Sequence, residues 1–186
     1  MKKVAVFFAE GFEEIEALTV VDLLRRAKIT TDMVSITGTK QVCSSHKVRV
    51  EMDRLFHEIN ADEYDMMVLP GGLPGTTNLE ACEPLMQMLD DFYEKGKMIG
   101  AICAAPSIFG HRGYLKGRRA CCYPGYEKDL LEAEVVYEEA VKSDHVITSR
   151  GMGCSCAFGL KIIETLLSKE ERDALEKRII YKASEI

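Results

Sequence analysis

Val4-Ala5-Val6-Phe7-Phe8-Ala9 is an unbroken apolar run, followed by the polar and glycine-containing Glu10-Gly11. A run of this length without alternation reads as a strand covered on both faces, which is the habit of parallel sheets. Working outward, Glu13 to Ala27 carries apolar residues at Ala17, Val20, Val21 and Leu24, with Thr19, Asp22 and Arg26 on the other side. That spacing predicts a helix with one buried stripe. Further strands are predicted around Thr30–Thr37, Tyr64–Leu69, Met98–Ile102, Val135–Tyr137 and Val146–Ser149, with Val48–Val50 in a small hairpin or edge strand. Helices are predicted over Pro84–Tyr93, from Pro106 to near Gly110, over Cys156–Leu167 and over the polar stretch Lys169–Lys182. Apolar strands alternating with helices predict a doubly wound α/β sheet, mostly parallel, with helices on both faces. With 186 residues, 47% of them hydrophobic, a single domain over 1–186 is expected.

The charge balance narrows the partners. Thirty acidic against 24 basic residues leave a net charge of −6, which disfavours a nucleic-acid backbone as ligand. No apolar stretch approaches the roughly 18 residues of a membrane span, and the first residues lack a signal-peptide pattern, so no membrane partner is expected. Seven cysteines without a C-x-x-C pair argue against a disulfide framework and fit a reducing, cytoplasmic location. His46, His57, His111 and His145 have no metal-ligand spacing, and neither dinucleotide nor P-loop glycine patterns occur. No metal and no cofactor is expected.

Ligands of open parallel sheets bind beyond the carboxyl ends of the strands. Cys103 stands there, between the strand Met98–Ile102 and the small residues Ala104-Ala105-Pro106 that lead into a helix. Such an elbow presents a nucleophile and aims helical N–H groups at it, which predicts a lowered thiol pKa. Of the other thiols, one of Cys121 and Cys122 is expected in the core, while Cys154 and Cys156 read as packing residues near a helix start. Glu16 borders the apolar face of the first helix, where desolvation raises a carboxyl pKa and a protonated carboxyl can donate to a thiolate. Glu13 and Glu14 are explained by the helix macrodipole. Gly71-Gly72 reads first as a turn needing positive φ; beside a nucleophile its amides are candidate oxyanion donors.

Gly11-Phe12-Glu13-Glu14-Ile15-Glu16-Ala17, Val68-Leu69-Pro70-Gly71-Gly72, Ala101-Ile102-Cys103-Ala104-Ala105-Pro106 and Thr148-Ser149-Arg150-Gly151 together resemble the ThiJ/PfpI superfamily, most closely its parkinsonism-associated deglycase branch. The resemblance spans nearly the whole chain. It implies a flavodoxin-like fold, a homodimer with Arg26 near the partner subunit, a reactive Cys103 on a strained elbow, a protonated Glu16 bonded to it, and Gly71 and Gly72 as oxyanion donors. The implied activity is that of a cofactor-independent cysteine enzyme acting on α-oxoaldehydes such as methylglyoxal or on early glycation adducts. The alternative is a redox-sensing stress-response protein, or a chaperone, working through oxidation of Cys103. Two departures stand out. Tyr123-Pro124 replaces a histidine that several relatives carry before this proline, and Ala104 replaces the histidine that follows the cysteine in protease-like relatives, which disfavours a peptidase.

Overall fold

The computed structural model describes residues 1–182; positions 183–186 of the expected domain lie outside the described residues. In chain order the elements are β1 (Lys3–Phe8), α1 (Glu14–Arg26), β2 (Thr30–Ser35), β3 (Gln41–Cys43), β4 (Arg49–Glu51), β5 (Arg54–Leu55), β6 (Met66–Leu69), α2 (Gly75–Glu80) and α3 (Glu83–Glu94). They continue with β7 (Met98–Ile102), α4 (Pro106–His111), β8 (Arg119–Ala120), β9 (Glu134–Val135), β10 (Ala140–Ser143), β11 (Val146–Ser149), α5 (Ser155–Leu166) and α6 (Lys169–Arg178).

Seven strands form one sheet in the order β10-β11-β7-β6-β1-β2-β5, parallel throughout except for the antiparallel edge pair β10-β11. The inner strands β2, β1, β6, β7 and β11 give the 2-1-3-4-5 order of a flavodoxin-like fold, with its topological switch between β1 and β6. Strand β1 shows why an unbroken apolar run was needed. Val4, Val6 and Phe8 enter one core layer with Ala17, Val20 and Leu24 of α1 and Phe158 and Ile162 of α5. Ala5 and Phe7 enter the other, with Leu85, Leu89 and Phe92 of α3 and Ile108 and Phe109 of α4. Successive side chains of a strand point to opposite faces, so both halves of the alternation had to be apolar.

The small elements depart from expectation. Val48–Val50 does join a hairpin, as β4 pairs with β3. The strand expected at Val135–Tyr137 shrinks to β9, which pairs in parallel with β8 outside the main sheet. The edge strand β10 and the short helix α2 were not expected at all. Cys121 and Cys122 are both buried, not one of the two, because Cys121 is bonded to Thr148 of β11 while Cys122 packs into the core layer with Ile108 and Phe109. No helix among the described residues is long and apolar enough to cross a membrane.

Candidate active site

Four strand-end segments meet at the switch point, and main-chain hydrogen bonds bolt them together. Glu13 N donates to Gly71 O at 2.9 Å, Cys103 N to Ser149 O at 3.0 Å, and Tyr123 N to Cys103 O at 2.8 Å. The loop after β1 is thereby tied to the loop after β6, and β7's end to both β11 and the segment after β8.

Cys103 occupies the left-handed region with φ +67°. A side chain in that region costs on the order of 1–3 kcal/mol and persists where surrounding structure over-determines it. Here Ile102 is buried and in the sheet on one side, and Ala104 and Ala105 are buried on the other. The strained elbow expected from the sequence is therefore present.

Glu16 faces the thiol from the first turn of α1. The side chain of Glu13 caps that turn, accepting from Glu16 N at 2.7 Å, which turns Glu16 inward while Glu14 turns away toward His46 Nδ1 at 3.1 Å. The Glu16 residue is 1% exposed. Its Oε2 accepts from Gly71 N at 3.0 Å and its carboxyl faces Cys103, whereas Oε1 has no partner. Burial pushes this carboxyl up to about 7, despite the counteracting influence of Cys103 and of the Gly71 bond. The proton is therefore retained near neutrality.

The thiol does not follow the sequence expectation. Burial and the ionised form of Glu16 hold Cys103 above the ordinary thiol range, and the amides of Ala104 and Gly72, which favour the thiolate, only partly offset this. Helix α4 begins three residues beyond the sulfur, too late for its first turn to dominate. Each group's ionisation opposes the other's: an ionised Glu16 disfavours the thiolate, whereas a protonated Glu16 no longer repels it and can donate to the sulfur.

Gly71 and Gly72 have different tasks. Gly72 has φ +91°, the turn glycine that the sequence called for, and its amide faces the Cys103 sulfur together with that of Ala104. The Gly71 amide is already engaged by Glu16 Oε2, and the amides beside the sulfur include that of Ala104. A bare N–H leaves no trace in the residue type, and nothing in the sequence singled Ala104 out. Gly71 instead makes a close approach: a Cβ there would lie 2.6 Å from both Cys103 Cβ and Glu16 Oε2. Gly71→Ala is accordingly expected to destabilise the fold by about 1–3 kcal/mol in urea unfolding and to separate the pair. An unaltered midpoint would contradict this packing.

Burial lifts the Cys121 thiol to about 11 and the Cys122 thiol to about 12, which leaves both as core residues, and it raises Cys154 and Cys156 as well. Among the described residues the fold assembles one group with ligand-type atoms that spacing did not reveal: Glu13, Glu14 and His46, within 4.8 Å of one another. Glu13 is the α1 cap and Glu14 the partner of His46, so hydrogen bonds within the chain account for the cluster.

Residues 2–165 match the model of the DJ-1/PfpI family. The chain belongs to that family. Protein DJ-1 homolog B of Arabidopsis thaliana is 36% identical over 172 residues; the match covers 91% of this chain but only 39% of that longer protein. A Schizosaccharomyces pombe relative named glutathione-independent glyoxalase DJ-1 is 31% identical over 189 residues, covering 96% of this chain and 98% of the relative. The solved structure of oxidised Toxoplasma gondii DJ-1 superposes with a TM-score of 0.93 at 32% identity, over 97% of this chain and 99% of that one. The DJ-1/PfpI match includes both the elbow of Cys103 and the first turn of α1 with Glu16.

Proposed function

We propose that this chain is a cofactor-independent enzyme that converts α-oxoaldehydes to 2-hydroxy acids, with Cys103 as nucleophile and Glu16 as proton carrier. The observation that carries the reading is the buried Glu16 carboxyl set against Cys103 on its left-handed elbow, with Gly71 packed so closely between them that a Cβ there would lie 2.6 Å from both side chains. The glyoxalase name of the S. pombe relative supports it.

With methylglyoxal, the Cys103 thiolate adds to the aldehyde carbon and the carbonyl oxygen takes the proton from Glu16, giving a hemithioacetal. The Gly72 and Ala104 amides stabilise the oxyanion as it develops. The Glu16 carboxylate then removes the hydrogen from that carbon and returns it to the neighbouring carbon through an enediol, leaving a lactoyl thioester. Water hydrolyses the thioester, releasing lactate and the thiol. The sum is methylglyoxal plus water to lactate, with no net oxidation. The test is lactate formation by the purified protein without glutathione; none at millimolar methylglyoxal would sink the proposal. Because side chains supply every step, turnover should survive EDTA followed by desalting. Loss on chelation with recovery on adding a divalent ion would require different chemistry.

A second reading uses the same atoms. The thiolate, two amides and a carboxyl donor would also receive the oxygens of a sulfinate delivered by peroxide, and the T. gondii neighbour was solved in an oxidised state. Mass spectrometry of Cys103 at modest peroxide distinguishes the two roles.

We further propose a cytoplasmic homodimer. Ile15 on α1 is 47% exposed, Ile180 is 64% exposed, and a groove of about 660 Å³ runs between α1 and residues 179–182, lined by Leu18, Asp22, Arg26 and Ile179. Among the described residues the Arg26 side chain forms its ion pair with Asp22, at 2.5 Å. Sedimentation should give about twice the 20.8 kDa chain mass. A monomer at micromolar concentration would overturn the assembly and leave the catalytic reading intact.

A further inference from the structure

Tyr123 plays no part in the proton transfers above, yet the fold seats it at the nucleophile. Its N–H donates to the carbonyl of Cys103 itself, and its own carbonyl accepts from Tyr126 N at 3.1 Å. The backbone at this position is thus held on both sides, and the phenol is the part left to move. Its ring lies against Gly151, with Cδ2 3.1 Å from where a Cβ on that glycine would stand, while Glu16 Oε1 is 3.9 Å from the same point. That oxygen is the one left without a partner. Ring and free carboxyl oxygen therefore both border Gly151. The ring is the outermost of the three: the Tyr123 residue is 49% exposed and Glu16 is 1% exposed.

We infer that the Tyr123 ring is the size-selecting wall of the site, set against Gly151 so that small, unbranched carbonyl compounds reach Cys103 and those with a bulky substituent beside the reacting carbon are turned away. Steric bulk carries the selection; the phenolic hydroxyl does not. Two features of the geometry support this. The contact with Gly151 is made by ring carbons, Cδ2 and Cε2. Gly151 itself has extended backbone, φ 164°, which any residue adopts, so what its missing side chain provides is a close seat for the ring, since a Cβ there would stand 3.1 Å from Cδ2.

The inference rests on Cys103 being the reacting group, and its test does not need turnover. Iodoacetamide and its N-phenyl derivative react with a thiolate by the same displacement: a carbon–sulfur bond forms, the carbon–iodine bond breaks, and iodide leaves. The ratio of their rates at Cys103, read by peptide mass spectrometry, cancels any change in thiol ionisation and reports access. Tyr123→Ala should raise the ratio of phenyl derivative to iodoacetamide by about tenfold, the scale of a removed steric wall, and Tyr123→Phe should leave the ratio at the wild-type value. An unchanged ratio in Tyr123→Ala overturns the inference. So does a fall, which would make the ring a stacking platform, or an equal rise in Tyr123→Phe, which would assign the effect to the hydroxyl. With phenylglyoxal against methylglyoxal the same ordering should appear in kcat/KM. Absence of turnover with either aldehyde would remove the proposed enzyme while the alkylation ratio still decides the role of the ring.

Discussion

Replacing Cys103 with serine should lower methylglyoxal turnover by on the order of 10³-fold or more, the scale seen when a covalent nucleophile is removed. Serine fits the same elbow, so the secondary structure and unfolding midpoint should stay close to wild type. The hydroxyl, however, remains protonated where a thiol can surrender its proton to Glu16, and the hemithioacetal has no counterpart of similar stability. Parallel lactate assays on the two proteins, with circular dichroism as the folding control, decide the point. Turnover above a tenth of wild type would mean that another group performs the addition.

Glu16→Gln should remove activity and raise stability at once. Activity should fall by about 10²–10⁴-fold, because an amide cannot carry a proton between adjacent carbons. The stability effect follows from the carboxyl being pushed up to about 7 by burial, from an ordinary value of 4.5. Between these two values the folded protein binds a proton that the unfolded chain has lost. Folding is therefore favoured below about pH 4.5, loses ground as pH rises through the window, and bears the full cost of an ionised buried carboxyl above about pH 7. Glutamine abolishes this slope. The variant should exceed wild type by on the order of 2 kcal/mol in urea unfolding at pH 8, and the difference should close toward pH 4.5. A constant difference across the range would show that Glu16 does not titrate within it. Sites commonly pair lost stability with activity in this way.

What the sequence disclosed and what it withheld divide along physical lines. Met98–Ile102 and Val146–Ser149 were legible to the residue because a strand covered on both faces admits only apolar or small side chains, and the run stops where the sheet does. Strand β10 was hidden because it lies at the sheet edge. Ala140-Val141-Lys142-Ser143 has one buried position, and only pairing with β11 makes it a strand. Cys103 and Glu16 were legible from their positions after β7 and on the inner margin of α1. Their ionisation was less so. A helix-end argument counted the amides near the sulfur but not the burial, nor the acidic partner 87 positions earlier in the chain. The roles of Gly71, Ala104 and Glu13 depend on where a main-chain N–H or a capping carboxylate points, and residue types do not encode that direction. Tyr123 could be read as a departure from relatives, while its stance against Gly151 emerges only when β11 and the segment after β8 are brought side by side.

The bond from Tyr123 N to Cys103 O bears on how such a site can diversify. The nucleophile's support is drawn from the main chain at position 123, which nineteen of the twenty residue types supply equally well, proline alone lacking the donor. The side chain at that position is thus uncoupled from the job of holding the elbow. A lineage can exchange it, and with it the range of molecules admitted, in single mutational steps that leave Cys103 and Glu16 where they were.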